Sequence, residues 1–277
     1  MSTEVRRHRG SFWRLFGSEM QLMLSKWRNR IGMGVLALFP IMVTIGMWQD
    51  SRSGGMSEAI GGVTNGLVVA MLALIAESAM FLPLAVAMLS GDSIAGEANQ
   101  GTLRYLLTVP VGRTRLLAVK YLSLMVGAVI GTVIVLVVGA VLGTIVLGGG
   151  TSASLSGTTM SYGQTLWRLV IAGGYVCLML WAIAAIGLFF STLVDQPMAV
   201  TVAVMVVVVL MWILLTVNQL DWLHPWLLTH RMQAFLDVMR DPIHWSTMRT
   251  GALVALGYIV VFTSLAWARF TGKDIST

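Results

Sequence analysis

Leu116–Leu147 reads LLAVKYLSLMVGAVIGTVIVLVVGAVLGTIVL and contains a single charged residue, Lys120. An α-helix needs roughly 20 consecutive apolar residues to cross about 30 Å of hydrocarbon, and this stretch is longer. The stretch therefore predicts a membrane-spanning helix, with room for tilt.

Five more apolar stretches lie on either side of it. The whole chain is 57% hydrophobic and 11% charged, with a mean hydropathy of +0.82, which is outside the range of soluble domains of this length. We predict an all-α integral membrane protein with six transmembrane helices. The other five spans are Ile31–Trp48, Gly66–Leu89, Leu169–Phe190, Pro197–Val217 and Gly251–Ala268.

The basic residues predict the orientation of these spans, because cytoplasmic loops hold the excess of Lys and Arg. With both termini in the cytoplasm, thirteen of the 18 basic residues lie inside. The five left outside are Arg52, Arg168, Arg231, Arg240 and Arg249. Basic residues beside apolar spans suit anionic lipid headgroups, so the net charge of +6 does not indicate nucleic-acid binding. We expect a multi-pass protein of a plasma membrane, of bacterial type.

The chain divides into a cytoplasmic anchor (1–30), a six-span membrane domain (31–268) and a cytoplasmic tail (269–277). In the anchor, apolar residues recur at helical spacing, which predicts an amphipathic interfacial helix. It could be a membrane anchor or a contact for a partner protein. Pro40 and Pro83 lie inside spans, where each is expected to kink its helix.

The outer segment 218–250 is rich in apolar residues between Trp222 and Trp245. This pattern predicts short interfacial or re-entrant helices before the last span. The segment also holds His224, His230 and His244, but their spacing matches no compact ligand set, so no metal site is expected. The lone cysteine, Cys177, is interpreted as a packing residue.

Two features lie at membrane depth. The glycines of the third span follow four-residue steps, which predicts a close helix contact, either within the subunit or with a second subunit. They are Gly127, Gly131, Gly139 and Gly143. Glu77 lies in the middle of the second span, where a charge is costly unless it faces protein or water. It is either a pathway residue or a buried carboxyl that stabilises the bundle.

The chain lacks the phosphate-cradling GxxxxGK[ST], HExxH and GxSxG motifs, so no catalytic residue and no cofactor is assigned to it. The segment 90–115 between spans two and three has a different character. Asp92 or Ser93 can cap a short helix that Gly101 can end. With Glu97 and Arg104 it forms a charged helical knob that could receive a push from a soluble partner, or it is an ordinary loop.

Within this segment, Ile94–Lys120 reads IAGEANQGTLRYLLTVPVGRTRLLAVK. It resembles the permease subunits of type-2 ATP-binding-cassette exporters, in which the part matching Asp92 to Gln100 is a coupling helix that docks in a groove of the ATPase subunit. The resemblance implies that Asp92, Glu97 and Arg104 serve ATPase coupling. It implies a smaller second contact around Asp195.

The resemblance also implies an assembly. Two permease chains, either two copies of this one or this one with a close relative, would pair with two cytoplasmic ATPase subunits that hold ATP and Mg²⁺. Substrate would then move between the permeases, with Glu77 and the glycine face near the route. The alternative is a membrane anchor or immunity component that recruits an ATPase without moving a substrate.

Overall fold

The computed structural model describes residues 11–53, 65–99, 112–154 and 156–272. Nearly all of them are helical. The α-helices, in chain order, are α1 (Ser11–Ser25), α2 (Trp27–Ser53), α3 (Leu67–Ala79), α4 (Phe81–Ser93), α5 (Ala95–Asn99), α6 (Arg113–Leu147), α7 (Tyr162–Leu193), α8 (Pro197–Leu214) and α9 (Trp245–Gly272).

Five helices are long and apolar enough to span a membrane, namely α2, α6, α7, α8 and α9. The pair α3 and α4 makes a sixth candidate span, bent by 52° at Met80. The prediction of an all-α membrane protein is confirmed. Its six spans correspond to these five helices and the bent pair, if that pair is counted as one span. The helices α1 and α5 are too short to span a membrane. They lie at one end of the bundle.

The bend in the second span follows from Pro83. A proline cannot donate to the carbonyl four residues earlier, and its ring crowds that carbonyl. Here that carbonyl belongs to Ala79, the last residue of α3. Regular bonding resumes when the Leu84 amide donates to the Met80 carbonyl at 2.9 Å. Pro40 does not break its helix, because α2 runs as one helix through it.

The helix α7 forms the centre of the bundle. In its most apolar stretch 72% of the residues are buried, against 17% in each of α2, α8 and α9. It packs against α9, α4, α6 and α8. The outer helices expose apolar side chains such as Met42, Val202 and Val260, as lipid-facing surfaces do.

The glycines of α6 allow its close packing with other helices of the same chain. A Cβ at Gly139 would come 2.7 Å from the Cα of Ala70, and one at Gly143 would overlap the backbone of Gly66. Leu36 and Leu82 pack over Gly131, and Leu89 and Met23 pack over Gly127. These glycines of the third span therefore lie against α1, α2, α3 and α4 of the same chain.

The end of the bundle opposite α5 is closed by ordered segments. Strands β1 (Ser152–Ala153) and β2 (Thr159–Met160) form a small antiparallel hairpin. Between α8 and α9 the chain forms four 3-10 helices rather than α-helices: Asn218–Leu220, His224–Trp226, Leu228–Arg231 and Ala234–Met239. We call this segment, residues 218–244, the cap.

The cap is fixed to the bundle by both apolar and polar contacts. Three apolar side chains of the cap, Met232, Phe235 and Val238, are fully buried. The Arg168 guanidinium donates to the carbonyls of Val238 at 3.1 Å and Arg240 at 3.0 Å, and the Tyr175 hydroxyl donates to the Arg231 carbonyl at 2.8 Å. The cap is therefore a firmly seated lid on α7.

Candidate coupling site

The basic end of the bundle, where α1, α5 and the start of α6 meet, holds a group of charged side chains in contact. It joins α1 and α2 to α4, α5 and α6. Its members are Glu19, Lys26, Arg28, Asp92, Glu97 and Lys120. Most of them line one cavity of about 360 Å³. We call these six residues the charge network.

Lys120 is the centre of the charge network. It lies at the start of the third turn of α6, and only 3% of its side chain is exposed. Its ammonium donates to both carboxylate oxygens of Glu19 at 2.8 Å and also to the Glu97 carboxylate. One buried cation therefore bridges the interfacial helix α1 and the short helix α5.

Glu97 keeps its place through this contact. Burial raises the pKa of the Glu97 carboxyl, and the nearby Lys120 ammonium opposes that rise. An unpaired carboxylate at this site would be costly, because a buried charge needs a close partner. The ammonium of Lys120 is therefore the close partner of the Glu97 carboxyl in this mostly buried position.

Asp92, at the end of α4, forms the second branch of the charge network. Its carboxylate accepts from Arg28 and lies 3.7 Å from the Lys26 ammonium. Both cations belong to the start of α2 or the turn before it. That turn is itself tight, because Asn29 donates to the Met23 carbonyl at 2.8 Å and Arg30 to the Leu24 carbonyl at 3.0 Å.

The residue that caps the N-terminus of α5 differs from the one that the sequence predicts. Neither Asp92 nor Ser93 caps this helix. The hydroxyl of Ser191, at the end of α7, accepts from the amides of Ile94 at 3.1 Å and Ala95 at 2.9 Å. Ser93 instead donates to Ser90 and Ser191. The central helix α7 therefore supplies, through Ser191, the acceptor for the first amides of α5.

The remaining predicted site residues lie as follows. Asp195 is exposed in the turn between α7 and α8, and α5 contacts α8. Arg104 lies outside the described residues. Asp92 and Glu97 make their ion pairs within the chain, so the exposed part of α5 is its last residue, Asn99.

Glu77 is fully buried in the last turns of α3, and neither carboxylate oxygen has a hydrogen-bond partner among the described residues. Gly66 lies against Gly143 and Ala70 against Gly139, and the same antiparallel register brings Glu77 to the level of Thr132. Glu77 is thus enclosed within its own chain, three residues before the bend at Met80.

A family model described as ABC-2 family transporter protein matches residues 23–275, which is nearly the whole chain. The chain belongs to the ABC-2 transporter family. The match covers every candidate span, so this ABC-2 chain is a multi-pass membrane component of a transporter, without a catalytic domain of its own. No curated protein matches the sequence.

Sequence reasoning missed four members of this ABC-2 charge network: Glu19, Lys26, Arg28 and Lys120. Two of them carried a signal. Glu19 is an acid on a helix whose other charged residue is basic, and Lys120 interrupts an apolar span. An isolated acid in one segment and an isolated base in another predict an ion pair between them. Only the fold shows that Glu19 and Lys120 form it. Within the described residues no group of three or more His, Cys, Asp or Glu could hold a metal ion.

Proposed function

We propose that this ABC-2 permease forms an export pathway with a second permease, and that a separate pair of ATPase subunits drives it from the basic end, which faces the cytoplasm. The observation that carries the proposal is the buried Glu19–Lys120–Glu97 contact. It fixes α5, the proposed coupling helix, to a long spanning helix and to the interfacial helix α1.

This contact suits the transfer of movement. A short helix that is capped by α7 and tied to α6 cannot shift without moving both spans. In the proposal, the ATPase touches α5 at Asn99, the chain that follows it, and the exposed Asp195 turn. Asp92 and Glu97 act as positioning residues that hold α5 in place, and Arg104 remains a proposed docking residue.

Glu77 has a proposed role in gating the pathway. It is buried beside a bend whose two arms, α3 and α4, can change their angle without breaking a regular helix. A buried carboxyl without a partner is unfavourable, so a state in which it gains a partner would be favoured by that contact. The closed cap over α7 is the proposed outer gate.

The function is tested by purifying the chain with the ATPase that accompanies it, placing both in liposomes, and screening compounds for stimulated ATP hydrolysis. We expect at least one compound class to raise hydrolysis and to move across the bilayer. A complex that assembles and hydrolyses ATP, but that no compound stimulates, would instead favour the anchor function.

Two substitutions in the same liposome assay test Glu77. Glu77→Gln keeps the hydrogen-bonding atoms, whereas Glu77→Ala removes them. We expect Glu77→Ala to reduce transport more than tenfold with little loss of assembly, and Glu77→Gln to have a smaller effect. Full transport by both variants would exclude a gating role.

A further inference from the structure

We propose that α7 transmits movement between α5 and the cap, and that Ser191 and Tyr175 are the positioning residues at the two ends of this route. The inference rests on the proposed function, in which α5 receives the movement and the cap is the outer gate. A single continuous helix, Tyr162–Leu193, reaches from the basic end of the bundle to the cap. At 1.5 Å per residue, its 32 residues extend over about 48 Å.

Ser191 attaches α7 to α5. Only 2% of this residue is exposed. Its hydroxyl oxygen accepts from the amides of Ile94 at 3.1 Å and Ala95 at 2.9 Å, and the Ser93 hydroxyl lies 3.3 Å from it. The first amides of a helix have no acceptor inside that helix, so α5 depends on α7 for the bonds at its start.

The other end of α7 is attached to the cap at two levels. The Tyr175 hydroxyl donates to the Arg231 carbonyl at 2.8 Å. Two turns further out, Arg168 donates to two carbonyls of the cap and lies 3.5 Å from the Asp241 carboxylate. A Cβ at Gly251 of α9 would come 2.0 Å from the Tyr175 hydroxyl. That hydroxyl is therefore enclosed, and the ring has little room to turn away from the cap.

The helix between these attachments is stiff. It contains no proline, it is the most buried of the spans, and it packs against α4, α6, α8 and α9. Densely packed protein interiors have low compressibility, so they pass a displacement on instead of absorbing it. About 24 Å of this helix separates Ser191 from Tyr175. A shift of α5 therefore moves Tyr175 and the cap residue bound to it, or breaks one of the bonds.

Two other spans each reach only one end of this route. The helix α6 is tied to α5 by Lys120, but its far end leads into the β1–β2 hairpin. The helix α9 reaches the cap, where Tyr258 donates to the Trp226 carbonyl at 3.1 Å. Its far end is bound to α6, because Arg113 donates to the Thr271 carbonyl at 2.9 Å.

The helix α8 is the competing route, because it contacts α5 and leads directly into the cap. The carbonyl of its last residue, Leu214, accepts from the His224 ring of the cap at 3.0 Å. However, only 17% of its most apolar stretch is buried, against 72% for α7. Most of α8 can therefore tilt or bend without displacing a neighbouring helix of the chain.

Three substitutions separate the possible routes at the cap. Each one removes a side-chain hydrogen bond between the cap and one span while keeping a ring. Tyr175→Phe acts on the contact with α7, Tyr258→Phe on the contact with α9, and His224→Phe on the contact with α8.

A matched pair tests the other end of the route. Ser191→Ala removes the acceptor for the first amides of α5. Thr192→Val removes the hydroxyl of the next residue, which is equally buried but donates to the Phe189 carbonyl of its own helix at 2.7 Å. Both variants lose one hydroxyl at the same end of α7, and only the first loses a bond to α5.

The test measures hydrogen–deuterium exchange by mass spectrometry in the purified chain, held in lipid nanodiscs without an ATPase. Coupling between two sites is reciprocal, so each end should respond to a change at the other. We expect Ser191→Ala to speed exchange in the cap (231–240) at least about twofold, and Tyr175→Phe to speed exchange in α5 at least about twofold. Thr192→Val should leave the cap unchanged, and Tyr258→Phe and His224→Phe should leave α5 unchanged.

Three outcomes would overturn the proposal. The first is a change confined to the substituted end in both Ser191→Ala and Tyr175→Phe. The second is an equal response of α5 to Tyr175→Phe and Tyr258→Phe. The third is a response of α5 to His224→Phe but not to Tyr175→Phe, which would assign the route to α8.

This measurement fails separately from the proposed function, because it needs neither an ATPase nor a substrate. A chain that couples its two ends through α7, but whose complex no compound stimulates, retains the α7 route and loses the export function. A complex that exports a substrate, but whose chain shows no coupling between α5 and the cap, retains the export function and loses the α7 route.

Discussion

Replacing Lys120 by methionine should destabilise the chain by about 3–5 kcal/mol, because two carboxylates are then left buried without their shared cation. Glu19 and Glu97 both accept from this ammonium, and only 12% and 15% of their side chains are exposed. The effect is measured by heating the protein in detergent and recording the loss of monodisperse protein as the temperature rises. The variant should also hydrolyse ATP in the complex without transport.

A triple variant separates stability from coupling. Glu19→Gln, Lys120→Met and Glu97→Gln together remove all three charges, and such replacements of buried ion pairs are often neutral or stabilising. We expect the thermal stability to return while transport per ATP hydrolysed stays low. Lys26→Met is the control, because its pair with Asp92 is more exposed and should contribute at most about 1 kcal/mol. If the triple variant recovers transport as well, the contact only stabilises the fold.

Alanine at Gly143 should lower the free energy of unfolding by at least about 1–3 kcal/mol, the usual cost of overpacking. The new methyl group would overlap the backbone of Gly66, and backbone cannot move aside as a flexible side chain can. The helices α3 and α6 would have to separate. Thermal unfolding and the yield of folded protein in membranes measure the loss.

Gly174→Ala is the matched control for that substitution. It also places a methyl group in a spanning helix, α7, but the added Cβ meets no atom within 4 Å. We expect stability equal to that of the wild-type chain or slightly higher, because alanine favours helix more than glycine does. Equal stability of Gly143→Ala and the wild-type chain would contradict the α3–α6 contact.

Much of the architecture follows from local sequence. Each span is an uninterrupted apolar run, and hydrocarbon leaves the backbone of such a run no alternative to helix. The broken second span also follows from a single residue, Pro83. The sequence gives the same expectation for Pro40, but α2 continues through that residue without a break, so a proline alone does not show where a span is divided in two.

The site is less predictable because its partners are distant in sequence. The sequence predicts a short helix from Asp92 or Ser93 to about Asn99 within the segment 90–115, and α5 (Ala95–Asn99) lies there. Ser191, whose hydroxyl caps the N-terminus of α5, is almost 100 residues away in the sequence. Asp92 pairs with Arg28 of α2 and with Lys26 just before it, and Glu97 pairs with Lys120 of α6. Both carboxylates therefore point into the chain rather than outward. No periodicity within the knob could predict that orientation.

The glycine face shows the same limit. Four-residue spacing predicts that another helix approaches Gly139 and Gly143, but it cannot identify that helix. The structure pairs them with Ala70 and Gly66 of the same chain. The outer segment likewise showed its apolar character in sequence, whereas its 3-10 geometry depends on contacts such as that of Arg168 with the Val238 carbonyl.

The central claim is that ATP-driven movement enters through α5 and reaches the spans. The chain has one cysteine, Cys177, so Cys177→Ala provides a background for spin labels at the exposed Asn99 and at Trp226 in the cap. Doubly labelled chains, diluted with unlabelled ones and bound to the ATPase, would be measured by double electron–electron resonance with and without trapped ATP. The account predicts that the distance distribution between the two labels shifts on ATP binding and that Lys120→Met abolishes the shift. An unchanged distribution in a wild-type complex that hydrolyses ATP and transports substrate would contradict it.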